Sequence, residues 1–369
     1  MDWSGLFPEL LNAILGNLKE RTDHLRFRCV CRSWRYAAKS HRMPPSLPWL
    51  YLPQDPTNSI DLRFYSLSED RVYKIPLPQV RNSYISGSAS GFLFIIGLPE
   101  NPKLFLINPF TGRRAHLPYA AVHYFSCESV WDYSGSVFVG SYRYGTGVVY
   151  CQLRKNRWSR IKALSHCDVK DIIYKGGSFC ILDSKTREVI LLDGETLDIT
   201  RIIQPPYFHY WHIDFAMSPD NDDIQLLVEV PDQKENDDGM QLADVLVQNG
   251  KSDYVLCNLI SQPEKSGWSK INNSGNIAIF DDQCRRVFVF ETSRHSGLRK
   301  KTIIYPSLSN RHTNIGTWHI YAYNFENLGS DLKETTAVKI HRLIHCWTDL
   351  CPYQIKEAVI AITPPLTEL

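Results

Sequence analysis

The chain has 369 residues, with 41 Lys and Arg against 39 Asp and Glu, a formal charge of +2 at pH 7. A balance so even gives no global attraction to nucleic acid or to an anionic membrane. The length exceeds that of the usual single domain, so one large unit with a small one, or two of similar size, is expected.

Met1-Asp2-Trp3-Ser4-Gly5-Leu6 offers no basic segment followed by an apolar one, so no secretory signal is expected. The longest apolar runs, such as Phe92 to Leu98 and Ala358 to Ile362, have strand length and are too short to span a bilayer. Ten cysteines dispersed through a large chain are expected as reduced thiols, and the sequon Asn272-Asn273-Ser274 as a polar turn. The expected setting is intracellular, in cytoplasm, nucleus or both.

Between Pro8 and His41 the apolar residues recur at helical spacing: Leu10, Ile14 and Leu18 form a stripe with Leu11 and Leu15 beside it. Pro8 suits a first helical turn, where a missing N–H costs nothing, and Glu9 suits the positive end of the helix dipole. Thr22 or Asp23 is placed to cap a second helix carrying Leu25, Phe27, Cys29 and Val30. Ser33 is placed to cap a third carrying Trp34, Ala37 and Ala38. Three helices this short close little core, so the unit is expected to present apolar surface to something else. Its eight basic residues (Lys19, Arg21, Arg26, Arg28, Arg32, Arg35, Lys39, Arg42) outnumber its four acids (Asp2, Glu9, Glu20, Asp23) and suit an acidic partner.

Residues 44–58 are proline-rich and read as a stiff connector. From residue 59 to 369 the pattern becomes short β-type runs separated by turn residues, such as Leu104 to Ile107, Val137 to Val139, Phe179 to Leu182 and Val189 to Leu192. Trp158-Ser159-Arg160-Ile161 returns as Trp268-Ser269-Lys270-Ile271, a faint repeat of the kind that successive blades of a β-propeller need. At about 40 to 50 residues per blade, six or seven blades fit the length. The expected architecture is thus a small all-α unit of three helices (1–43), a linker (44–58) and a large all-β propeller (59–369).

The run Trp3-Ser4-Gly5-Leu6-Phe7-Pro8-Glu9-Leu10-Leu11, followed by Ile14, Leu18, Asp23, Leu25-Arg26-Phe27-Arg28, Val30-Cys31 and Ser33-Trp34-Arg35, resembles the F-box, especially its plant form. It departs from the usual Leu-Pro start, since Leu6-Phe7 precede Pro8. The resemblance implies docking to a Skp-type adaptor, and through it to a cullin/RING ubiquitin ligase, with no chemistry in the F-box itself. It assigns adaptor binding to Leu6, Phe7, Pro8, Leu10, Leu11, Ile14, Leu18, Leu25, Val30 and Trp34. Read from the residues alone, the same positions could equally form the unit's own core, which is the reading for Cys29 and Ala37. A DNA-binding helix-turn-helix is disfavoured, because no patterned recognition helix is present.

Gly91-Phe92-Leu93, Leu106-Ile107-Asn108-Pro109-Phe110-Thr111-Gly112-Arg113, Leu117-Pro118 and the tail Ile362 to Leu366 are similar to plant F-box proteins with a KIB-type β-propeller. That likeness implies a non-catalytic substrate receptor whose propeller recruits a protein target for ubiquitination. The alternatives are an F-box protein that sequesters its target without ubiquitination, and a propeller enzyme or glycan-binding domain.

Other constellations carry less. His341, His345, Cys346 and Cys351 contain one H-x3-H pair but no second tight pair, so no metal is expected. Asp220-Asn221-Asp222-Asp223 opens like a calcium loop but lacks the glycine at its sixth position, which is Gln225, and the glutamate at its twelfth, which is Pro231; a hairpin turn is expected. No nucleotide fingerprint, nucleophile elbow or kinase set occurs, and no cofactor is expected. The aromatic cluster Tyr207, Phe208, Tyr210 and Trp211 is the candidate substrate surface if it lies on exposed loops. If it leads into a strand, Ile213 and Phe215 would alternate inward.

Overall fold

The computed structural model describes residues 3–18, 21–39, 41, 49–52, 61–66, 71–89, 91–97, 103–118, 131–141, 147–206, 212–218, 223–231, 252–260, 267–270, 277–281, 287–292, 302–309, 315–324, 338–347 and 361–362. Three helices come first: α1 (Pro8–Asn17), α2 (Arg21–Val30) and α3 (Arg32–Ala37). Pro8 opens α1 as its missing N–H allows, behind an extended Phe7 whose carbonyl takes the Leu10 and Leu11 amides at 3.0 and 3.1 Å. Two expected caps are corrected. Because α2 already starts at Arg21, Thr22 and Asp23 fall inside its first turn, where the Asp23 carboxylate accepts from Arg26 at 2.8 Å. Because Cys31 is fully extended (φ −161°, ψ −180°), the chain breaks there, and α3 begins with Ser33 in its first turn rather than ahead of it.

Leu11, Leu15, Phe27 and Ala38 form the helical core, with Leu6, Ile14, Leu18, Trp34 and Ala37 packed around it half-buried. Phe27 and Trp34 meet at 4.4 Å between ring centroids. Among the described residues, three large buried side chains make a small core, as the short helices dictate.

The β part begins earlier than expected. Within the proline-rich stretch, β1 (Trp49–Leu52) pairs antiparallel with β2 (Asp61–Ser66), and β2 with β3 (Arg71–Pro76). The prolines at 48 and 53 flank these four residues without interrupting them, so every residue from Trp49 to Leu52 can pair, and the connector of 44–58 is in part a strand. Tyr73 of β3 stacks on Trp49 at 4.5 Å and receives the Arg26 guanidinium of α2 at 3.4 Å.

Three further four-stranded antiparallel sheets follow in simple order: β4 (Ser83–Ala89), β5 (Phe92–Gly97), β6 (Leu104–Ile107) and β7 (Arg114–His116); β8 (Trp131–Tyr133), β9 (Val137–Ser141), β10 (Val148–Gln152) and β11 (Arg157–Arg160); β12 (Val169–Lys175), β13 (Ser178–Asp183), β14 (Val189–Asp193) and β15 (Ile199–Ile203). A fifth set, β16 (His212–Met217), β17 (Gln225–Pro231), β18 (Ser252–Ile260) and β19 (Gly267–Lys270), repeats that order. It is continued by β20 (Ile277–Asp281), β21 (Val287–Glu291), β22 (Thr302–Ser309), β23 (Ile315–Asn324) and β24 (Val338–Trp347). The last strand, β25 (Ala361–Ile362), returns to β1 and sets Ile362 opposite Trp49.

The propeller has five blades where six or seven were expected. Parallel pairings of β16 with β21 (Ala216 with Val287) and of β20 with β22 (Ala278 with Thr302) fuse the last nine strands into one sheet, so they do not divide into further four-stranded units. The first strand of each blade is innermost, and β25, β4, β8, β12 and β16 touch in that order.

Core lies between blades, which explains why the strand runs are continuously apolar rather than alternating. In β5, Phe94 and Ile96 face the third blade while Leu93 and Ile95 face the first. In β13, Phe179 and Ile181 face the third blade while Cys180 and Leu182 face the fifth. The two tetrapeptide copies occupy the same place in their blades, on the outer strands β11 and β19. Trp158 donates its indole N–H to the Pro118 carbonyl at 2.8 Å, and Trp268 donates to the Gln204 carbonyl at 2.9 Å, each bond reaching back to the preceding blade. Cys151, Cys167, Cys180 and Cys257 are buried, and among the described cysteines none forms a disulfide; burial pushes the Cys151 thiol up to about 11.

Candidate functional site

Seven large hydrophobic side chains stand exposed among the described residues, and five of them belong to the helical unit: Trp3 (59%), Phe7 (72%), Leu10 (51%), Val30 (52%) and Tyr36 (74%). A soluble surface does not need these groups, and a module with so little core cannot bury them. Leu10 and Ile14, four residues apart, share one flank of α1, with Phe7 and Pro8 exposed at its start.

The structure divides the ten sequence candidates. Phe7, Pro8, Leu10 and Val30 are exposed; Leu6, Ile14, Leu18 and Trp34 are half-buried at the edge of the helical core; Leu11 is 2% exposed and belongs to that core. Leu25 lies in α2, and its side chain is outside the described residues. Leu11, expected among the adaptor-binding residues, packs instead in the helical core: Leu11 and Leu15, four apart, form the inward stripe, and that turns Leu10 outward.

Trp3 and Tyr36 were missed as surface residues. Trp34 donates its indole N–H to the Trp3 carbonyl at 2.9 Å, which fixes the Trp3–Gly5 turn by its backbone and leaves the Trp3 ring outside. Tyr36 follows Trp34 by two residues, about 200° around α3, and with Trp34 inward this spacing was a usable signal.

Arginines tie the unit together more than they decorate it. Arg28 donates to the Ala38 carbonyl at 3.0 Å and Arg35 to the Arg28 carbonyl at 3.2 Å, joining α2 to α3. His24, buried in α2, bonds the Leu18 carbonyl at 3.0 Å. Burial pushes its pKa down; the Leu18 carbonyl partly opposes this, and the Arg28 and His41 charges add to it.

The other candidates form no cluster among the described residues. Tyr207, Phe208, Tyr210 and Trp211 lie outside the described residues; the strand after them starts at His212, with Ile213 and Phe215 buried. His341, His345 and Cys346 fall on β24, and Cys351 is outside the described residues. Among the described residues no three His, Cys, Asp or Glu side chains converge as a metal site would require. Of the calcium-like run, residues 220–222 lie outside the described residues; β16 and β17, which precede and follow it in the chain, pair antiparallel.

Comparison with known proteins matches residues 64–323 to the KIB1-4 β-propeller family and residues 3–44 to the F-box domain. The chain belongs to the KIB1-4 β-propeller family. Two curated relatives of this KIB1-4 chain are F-box/kelch-repeat proteins of Arabidopsis thaliana. One is 29% identical over 134 residues, covering 36% of this chain and 37% of the relative; the other is 30% identical over 124 residues, covering 31% and 32%. The match thus spans about a third of each relative's length. Among solved structures, a quinonprotein alcohol dehydrogenase-like protein of Bacteroides thetaiotaomicron superposes with a TM-score of 0.36 and 11% identity over 82% of this chain and 79% of that one, too loosely to carry an argument. The F-box and KIB-type resemblances read from the sequence are the ones the family models match.

Proposed function

We propose that this chain is a non-catalytic substrate receptor of a Skp-cullin-F-box ubiquitin ligase, acting in the cytoplasm or nucleus. Its F-box docks on a Skp-type adaptor, and its propeller recruits a protein target for ubiquitination. The observation that supports this most is the concentration of exposed large hydrophobics in the F-box, five of seven among the described residues. Fully burying one such side chain is worth about 1.5–3 kcal/mol. A few at the centre of an interface can supply most of its affinity. On this reading the chain contributes proximity: it holds target and ubiquitin-charged enzyme in one assembly and so raises their effective concentration.

The test is co-purification of the full chain with a Skp-type adaptor. Phe7→Ala, Leu10→Ala and Val30→Ala, all at exposed positions, should together abolish adaptor binding while leaving thermal unfolding unchanged. No binding by the unmutated chain sinks the proposal. Adaptor binding with a target whose half-life ignores the level of this protein would favour sequestration over ligase action.

A further inference from the structure

Two turns carry positive charge at one end of neighbouring blades. In the second blade the turn 108–113 leads into β7, with Arg113 and Arg114 exposed; in the third, the turn after β10 carries exposed Arg154 and Lys155, and β11 opens on exposed Arg157. Each turn joins its blade's third strand to its fourth, so both emerge at the same end of the ring.

Contacts across the blades bring them together. Phe92 of β5 meets Tyr133 of β8 edge-on at 5.1 Å. Burial pushes the Tyr133 phenol up and the Arg113 guanidinium partly offsets it, which sets the second-blade turn beside the third blade. The Tyr133 hydroxyl donates to the Gly135 carbonyl at 2.8 Å, and the Leu153 amide to the Ser136 carbonyl at 3.1 Å, so the 134–136 turn is tied to Tyr133 on one side and to Leu153 on the other.

No acid occurs in the connections at this end of the two blades, which are 90–91, 108–113, 134–136 and 153–156. Among the described residues none of the five cations has an ion-pair partner. In a chain of formal charge +2 this is a local segregation, and the corresponding turn of the fourth blade, 193–198, holds Asp193, Glu195 and Asp198 instead.

We propose that this end of the second and third blades docks an acidic segment of a protein partner. The proposal rests on the receptor reading in treating the propeller as the recruiting part. Arginine forks take carboxylates bidentately, and five cations in and beside two turns at the same end of neighbouring blades steer and register a short run of Asp or Glu. A single-stranded nucleic acid fits less well, since it needs aromatic platforms for its bases, and here Phe92, Phe110 and Tyr133 are packed into the blade cores.

The experiment uses the full chain and labelled peptides read by fluorescence anisotropy. A peptide of about ten glutamates should bind, and binding should weaken as salt rises from about 50 to about 200 mM, while the glutamine peptide of equal length should not bind. Arg113→Gln, Arg114→Gln, Arg154→Gln and Lys155→Gln combined should lower affinity at least about tenfold with an unchanged melting temperature. Lys162→Gln with Lys185→Gln, in turns at the opposite end, should leave it unchanged. Equal binding by the quadruple variant, no binding of the acidic peptide, or tighter binding of an oligonucleotide of equal length overturns the proposal. Adaptor co-purification is independent of these substitutions, so a chain that holds the peptide but not the adaptor refutes the receptor reading alone.

Discussion

Trp158 and Trp268 each fill a space between blades and close a hydrogen bond to the blade before. Replacing either indole with phenylalanine keeps most of the packing but strands a carbonyl, of Pro118 or Gln204. A loss of about 1–2 kcal/mol is expected for Trp158→Phe, read as a lower denaturant midpoint with an unchanged slope. His24 offers a pH test. Its pKa in the folded chain is held below the usual histidine value, so protonation favours the unfolded state. The stability it contributes is present above the unfolded value of about 6.5 and is lost as pH falls through and below it. The protection of the α2 amides relative to their intrinsic exchange rate should therefore fall between about pH 7.5 and about pH 5.5, and His24→Gln should flatten that dependence; identical slopes in both chains would refute it.

At the scale of elements, one turn recurs three times. Asn108, Asp183 and Asp193 each accept two amides three or fewer residues on, at 2.7 to 3.0 Å, ahead of Thr111, Thr186 and Thr196, whose hydroxyls accept a further amide at 3.3 Å. The next residue is left-handed in every case: Gly112 at φ 71°, Arg187 at 61° and Leu197 at 64°. Asn108→Asp should be tolerated, since the other two turns use Asp, whereas Asn108→Ala should cost about 1–3 kcal/mol by stranding the Phe110 and Thr111 amides. In α1 the same helix separates two roles. Leu11→Ala opens a cavity and should cost about 2–5 kcal/mol, whereas Leu10→Ala, one residue away, should stay within about 0.5 kcal/mol and act only on the proposed adaptor binding.

For the whole molecule, ring closure rests on β25 against β1, the two ends of the β part. Ending the chain after residue 360 would leave β1 as an unpaired inner edge, and open edges invite pairing between molecules. The truncated protein should melt at lower temperature and aggregate with increasing concentration in light scattering, while the F-box, whose described core residues lie within 6–38, should keep the proposed adaptor binding. The basic end of the second and third blades also belongs to this scale, because residues 113–114 and 154–157 come to one end of the ring only once two blades stand side by side.

The sequence by itself determined what is local. A helical period placed three helices, apolar runs between turn residues placed the strands, and an ordered motif of about forty residues carried the F-box. The repeated Trp-Ser tetrapeptide was a true blade signal because each copy makes the same backward bond. Tertiary structure alone decided the rest. Which of Leu10 and Leu11 faces outward depends on where α2 and α3 pack, and adjacent leucines carry no mark of it. The blade number turned on parallel pairings between Ala216 and Val287 and between Ala278 and Thr302, contacts far apart in the chain that hydrophobic period does not encode. Helical period records which side of an element is apolar, but partners distant in sequence choose what that side meets.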